Sequence, residues 1–218
     1  METATLIGII TILILSVCTH EACHAFVADR LGDPTARMLG RVTLNPIPHI
    51  DLFMTIILPG MLIMSGSPIL FGGAKPVPVD VRRFRQPRRD FMLVGLAGPA
   101  SNFAIAFLLA GLLSLLIHTG IFIPASNGTT ILQYGVLINL LLAIFNLIPI
   151  PPLDGSRALL YVLPRQLVSS YMQLERYGIL ILFGMLFVFR DGFSWMISSV
   201  LYPAAGLLGS LFQIQGIL

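Results

Sequence analysis

Charge is what this chain has least of. Asp, Glu, Lys and Arg make up 11% of its 218 residues, against about a quarter in soluble domains. With 56% hydrophobic residues and a mean hydropathy of +0.90, a soluble globular domain is excluded. The two cysteines, Cys18 and Cys23, lie five apart on one apolar run, a spacing that makes neither a disulfide framework nor a zinc ribbon. A basic leader is also missing. Glu2 is the one charge before the first apolar stretch, so that stretch does not read as a cleavable signal. There is no internal repeat, low-complexity segment or separate hydrophilic domain, and residues 1–218 read as one membrane domain.

What charge there is gathers in one place. Arg82, Arg83, Arg85, Arg88 and Arg89 fall within eight residues, with Lys75 just upstream. Beside an apolar span such a cluster marks a cytoplasmic loop more simply than a nucleic-acid patch.

The apolar runs are long enough to cross a bilayer, which takes ~20 residues each. Spans are expected at Ala4 to Ala28, Phe91 to His118, Ile131 to Ile148, Tyr177 to Phe189 and Phe193 to Phe212. Leu52 to Phe71 is broken by Pro59-Gly60 and by Ser65-Gly66-Ser67-Pro68 and is basic on both flanks. It is therefore expected to enter and leave on one side as a re-entrant hairpin. The fold class is all-α polytopic membrane protein, with five to six transmembrane helices. Arg41 to Pro46 has β-prone character, and Gly72 to Asp80 is held extended by its prolines.

In the first span, His20, Glu21 and His24 form H-E-x-x-H. Helical positions four apart stand one above the other, so both imidazoles face the same way. Two such imidazoles suit a zinc ion, and the Glu between them can act as a general base. Chance is a poor alternative. With 4 His and 3 Glu in the chain, an accidental match arises in roughly one such chain per thousand. Ionisable residues inside a membrane helix are costly, and their default reading is functional.

A catalytic zinc takes three protein ligands and leaves one position open. Of the ten acidic residues, Glu21 and Asp154 alone sit in strongly apolar surroundings. The first span brings His20 and His24 to its inner end, and the chain returns through Ile131 to Ile148 to place Asp154 at the same level. Asp154 is the favoured third ligand, although a helix cap at Gly155-Ser156 is an added role open to it. His49 and Asp51 compete, but read more simply as a loop pair bonding backbone or orienting a ligand imidazole. Asn146 either satisfies a backbone carbonyl or donates to an oxyanion developing during amide hydrolysis. Asn102 has the same choice and leans to a structural role.

Taken together, His20-Glu21-x-x-His24 in a first span, Gly98-Pro99-x-x-Asn102 in a middle one and Asn146-x-x-Pro149-x-Pro151-x-Leu153-Asp154-Gly155 in a late one resemble the site-2 proteases. These are intramembrane zinc metalloproteases. Gly32-Asp33-x-Thr35-Ala36 through Asn45-Pro46 and Ala74-Lys75-Pro76-Val77-Pro78-Val79 look like the compact prokaryotic branch, without a PDZ or CBS domain. The resemblance implies one zinc ion on His20, His24 and Asp154, Glu21 as general base and Asn146 as a transition-state donor. The substrate would be a transmembrane protein, cleaved in or near its membrane segment. The site would lie on the cytoplasmic side of a prokaryotic plasma membrane, with no nucleic-acid partner. It also implies short membrane-associated strands near Arg41 to Pro46 and Gly73 to Val79 that receive the substrate. Two departures stand out. Ala22-Cys23 fills the motif interior where an aromatic residue and Gly are common, and Leu52-Phe53-Met54 replaces the Pro-x-Gly expected before Thr55. The competing class is a membrane zinc carrier or sensor without proteolysis.

Overall fold

The computed structural model describes residues 2–66, 72–216 and 218. Among them every regular element is helical: α1 (Thr3–Arg30), α2 (Thr35–Met38), α3 (Leu52–Met64), α4 (Pro87–His118), α5 (Asn127–Asn146), α6 (Gly155–Val162), α7 (Arg165–Val188) and α8 (Arg190–Leu211). Five of these, α1, α4, α5, α7 and α8, are long and apolar enough to cross a membrane.

Each long helix starts where its local chemistry permits. Pro87 sits in the first turn of α4, where its missing N–H costs nothing, so α4 begins four residues before the expected Phe91. Ser126 caps α5 by accepting from the Thr129 backbone N–H. The α7 helix reaches back to Arg165, twelve residues before the expected start at Tyr177. It does so by tightening to a 3-10 turn at Leu174–Tyr177 and loosening to a π-helix at Gly184–Val188.

Packing centres on α4. It runs against α1, α5 and α6, while α8 lies against α5 and touches α4. Ala106 and Ala110 of α4 are fully buried with Leu113, Val136, Leu140, Ala205 and Ile214. Small side chains here let backbones approach closely, which is how membrane helices gain contact when lipid is as apolar as leucine. The N-terminal ends of α1 and α5 lie together: Asn127 Nδ2 donates to Glu2 Oε2 at 2.5 Å. A Cβ on Gly8 would fall 2.7 Å from Ile131 Cδ1. The two helices are therefore parallel, with α4 antiparallel between them.

The expected strands are absent among the described residues. Residues 72–80 are extended, but Pro76 and Pro78 remove two ladder donors. The remaining groups bond elsewhere: Gly73 N to Met54 O at 3.0 Å, Lys75 N to His49 O at 2.8 Å, and Asp80 N to Asp33 Oδ2 at 2.7 Å. The Lys75 and Pro76 carbonyls accept from the Arg41 guanidinium. Over residues 41–46, local side chains take the backbone groups a ladder would need: Asn45 N donates to Thr43 Oγ1 and Ile47 N to Asn45 Oδ1, both at 3.1 Å.

At 13 residues α3 is ~20 Å long, short of the ~30 Å hydrocarbon core. The Gly73–Met54 bond returns the chain beside the start of α3. The end of the expected hairpin, residues 67–71, lies outside the described residues.

Candidate metal centre

His20 and His24 project from one face of α1, with ring centroids 4.7 Å apart and planes at 84°. The chain then supplies a carboxylate from 134 residues away. Beyond Asn146 the backbone folds into a tight turn: Ile150 N donates to Ile148 O at 2.8 Å and Leu153 N to Ile150 O at 2.9 Å. That turn sets Asp154 at the head of α6. Asp154 Oδ2 lies 2.9 Å from His20 Nε2 and 3.1 Å from His24 Nε2, and the two nitrogens are 3.1 Å apart. All three residues are buried.

The triangle fits a small cation. Ligand atoms ~2.0–2.1 Å from a tetrahedral zinc stand ~3.3 Å apart, close to the three edges observed. The outer ring nitrogens point the same way. His24 Nδ1–H donates to the Val94 backbone carbonyl at 2.6 Å, and a carbonyl can only accept, so in the neutral ring Nε2 of His24 carries a lone pair into the triangle. His20 Nδ1 meets Asn102 Oδ1 at 2.6 Å. On the far side of Asp154, Arg157 Nη1 stands 3.7 Å from Oδ1, with the guanidinium stacked 5.1 Å from the Phe91 ring centroid. Oδ1 thus faces a cation of the protein while Oδ2 faces the imidazoles.

Helix α4 walls the site. A Cβ on Gly98 would sit 2.5 Å from His20 Nε2 and against His24 Nε2; one on Gly95 would sit 3.0 Å from the Asp154 carbonyl oxygen. Glycine at 95 and 98 is what lets α4 pass beside all three candidate ligands.

Outside the spans, burial pulls the Arg41 guanidinium below its ordinary value, and the Glu21 charge pulls it back up. The two groups are within electrostatic reach. At the end of the extended segment, the hydrogen bond from Arg82 holds the Asp80 carboxyl below the usual carboxylate range.

Comparison with known proteins agrees in chemistry with this arrangement. The pattern of "Peptidase family M50" matches residues 117–189, which include Asn146 and Asp154. "Putative zinc metalloprotease YwhC" of Bacillus subtilis is 41% identical over 194 residues, covering 88% of this chain and 82% of the relative. The chain belongs to peptidase family M50. "Putative zinc metalloprotease Rip2" of Mycolicibacterium smegmatis is 34% identical over 150 residues, 67% of this chain and 53% of that protein. "Zinc metalloprotease MJ0392" of Methanocaldococcus jannaschii is 28% identical over 155 residues, 71% of this chain and 34% of that protein. No solved structure matches the chain.

Membership in M50 makes the chain a site-2-type zinc metalloprotease of the membrane and speaks against the carrier reading. Against that background the remaining expected residues divide. His20, His24 and Asp154 are brought together. Glu21 is the next residue of α1 and is partly buried. Asn146 is not turned to the triangle: its Nδ2 donates to Leu142 O of its own helix at 2.9 Å. His49 and Asp51 are loop residues. His49 Nε2 donates to Thr43 O at 2.9 Å, and Asp51 caps α3 by accepting from Met54 N at 2.8 Å. His118 bonds the Ser114 carbonyl.

Several residues at the site were not legible as such. Asn102 reads as structural from sequence yet holds His20. Gly98 announces a helix contact but not that the contact is with the imidazoles. The signal available for Asn102 was its place in the Gly98-Pro99-x-x-Asn102 pattern.

Proposed function

We propose that His20, His24 and Asp154 hold one zinc ion and that Glu21 is the general base in hydrolysis of a peptide bond in or near a transmembrane segment of another protein. The observation that carries this reading is the convergence of two Nε2 atoms and one carboxylate oxygen within 2.9–3.1 Å of one another. When bound, zinc supplies Lewis acidity and lowers the pKa of water held beside it towards ~7. Everything else falls to the protein. Glu21 takes the proton of the attacking water and delivers it to the leaving amine. The Val94 carbonyl and Asn102 keep the imidazoles in register. Asn146 reaches a developing oxyanion by exchanging its bond to Leu142 for one to substrate. The substrate helix unwinds locally first, because its carbonyls are engaged in the i→i−4 ladder.

The whole chain acts as one membrane domain, with α3 as the first arm of the re-entrant hairpin. The site faces the cytoplasmic side. Arg30 ends α1 and Arg37 and Arg41 follow it; Arg82, Arg83 and Arg85 precede α4, and Arg88 and Arg89 lie in its first turn, as expected of cytoplasmic flanks.

The test is a pair of measurements on purified protein in liposomes. Glu21→Gln is expected to keep about one zinc per chain and to cleave a model membrane peptide ~10²–10⁴-fold more slowly. Cleavage at the wild-type rate by a zinc-loaded Glu21→Gln protein would rule out the role of Glu21.

A further inference from the structure

We infer that Asn139, which touches neither the candidate ligands nor Glu21, is a positioning residue for the metal site. It sets the direction of a buried hydrogen-bond relay that turns the Nε2 lone pair of His20 into the ligand triangle. The relay crosses three helices. Gly135 O and Ser16 Oγ accept from Asn139 Nδ2, each at 2.8 Å. Asn139 Oδ1 accepts from Asn102 Nδ2 at 2.9 Å, and Asn102 Oδ1 meets His20 Nδ1 at 2.6 Å. Asn102 and Asn139 are fully buried, and Ser16 is 2% exposed.

An amide side chain can be turned either way, and only its partners decide which. Here the decision is made at the far end. The Gly135 carbonyl can only accept, so Asn139 must present its NH₂ there and its oxygen to Asn102. Asn102 must then present its NH₂ to Asn139 and its oxygen to His20. That oxygen can only accept, so Nδ1 of His20 carries a proton, and in the neutral ring Nε2 is left with the lone pair. Reversing any member sets two acceptors face to face in a water-poor interior, where an unpaired polar group is costly. The backbone of α5 therefore dictates the tautomer of a ring on α1, two amides away. His24 needs no such relay, because Val94 O reads its Nδ1 directly.

The plain alternative is that the two asparagines merely fasten α1, α4 and α5 together. A fastening role predicts lost stability with an unchanged His20; a positioning role predicts a changed ring. Asn139→Leu, similar in size but unable to accept, leaves Asn102 free to flip.

The inference rests on His20 being a zinc ligand, and the measurements separate the two claims. Zinc affinity of the full chain is measured by chelator competition. The His20 tautomer is read from ¹⁵N-histidine NMR of the zinc-free chain, where protonated and bare ring nitrogens are well separated in shift. Loss of an outer partner to a ligating His typically weakens metal binding 10–100-fold. Since Asn139 stands one step further out, Asn139→Leu is expected to raise the zinc Kd about tenfold. Its His20 signal is expected to split between both tautomers. A Kd within twofold of wild type with Nδ1–H intact overturns the relay. Should Asn139→Leu fail to fold, the wild-type spectrum still decides: a proton on Nδ1 is expected at His20, and a bare Nδ1 overturns the inference. Wild-type protein that takes up no zinc would instead overturn the ligand assignment on which the relay depends.

Discussion

Gly98 leaves no room for a side chain beside His20: a Cβ at position 98 would lie 2.5 Å from His20 Nε2. Nor is there room to yield, because the same added carbon meets Nε2 of His24. Gly98→Ala should push both rings out of register. Overpacking of this kind costs ~1–3 kcal/mol of stability, but the sharper readout is metal. Zinc per chain should fall below half, with membrane insertion retained. An alanine variant with full zinc content would show that α4 can retreat.

Asp154 can be tested apart from the imidazoles. Asp154→Ala leaves two of three candidate ligands and removes the charge that Arg157 faces at 3.7 Å. Zinc content measured by elemental analysis should drop well below one per chain, and cleavage should fall to background. Wild-type zinc content in this variant would remove Asp154 from the site.

Metal removal should be reversible. Dialysis against a strong chelator is expected to abolish cleavage while circular dichroism stays helical, since the packing around Ala106 and Ala110 involves no metal ligand. Zinc returned at stoichiometric amounts should restore the rate. Activity surviving complete zinc removal would end the metalloprotease assignment of this centre.

Stability away from the site should centre on Asp33. It is fully buried, and its carboxylate accepts from Thr35 N at 3.1 Å and from Asp80 N at 2.7 Å, tying the loop after α1 to the segment before α4. Asp33→Ala leaves those donors unpaired, at roughly 1–3 kcal/mol for each buried group. A thermal unfolding midpoint lowered by several degrees is expected, and an unchanged midpoint would mean that water replaces the carboxylate.

How much of this could be read from the chain follows the reach of each interaction. The pairing of His20 with His24 is local, set by helical pitch. Asp154 was legible because alternation of spans fixes the end at which a residue emerges, and depth needs no knowledge of contacts. Asn102, Asn139 and Ser16 were not, since their meaning lies in contacts 37 to 123 residues apart. A buried amide looks alike whether it binds a helix or a ligand. The expected strands at residues 41–46 and 73–79 failed for a different reason. Prolines make a chain extended, but they also remove the donors by which an extended chain becomes a sheet, and Arg41 takes two of the carbonyls that remain.

The 134-residue separation of His20 and Asp154 bears on the order of events at the ribosome. A nascent chain that has inserted α1 and α4 carries both imidazoles but no carboxylate partner for them, and it gains one only after α5 has crossed and the following turn has closed. With Asp154 as the proposed third ligand, the centre is incomplete for as long as that turn has not been made.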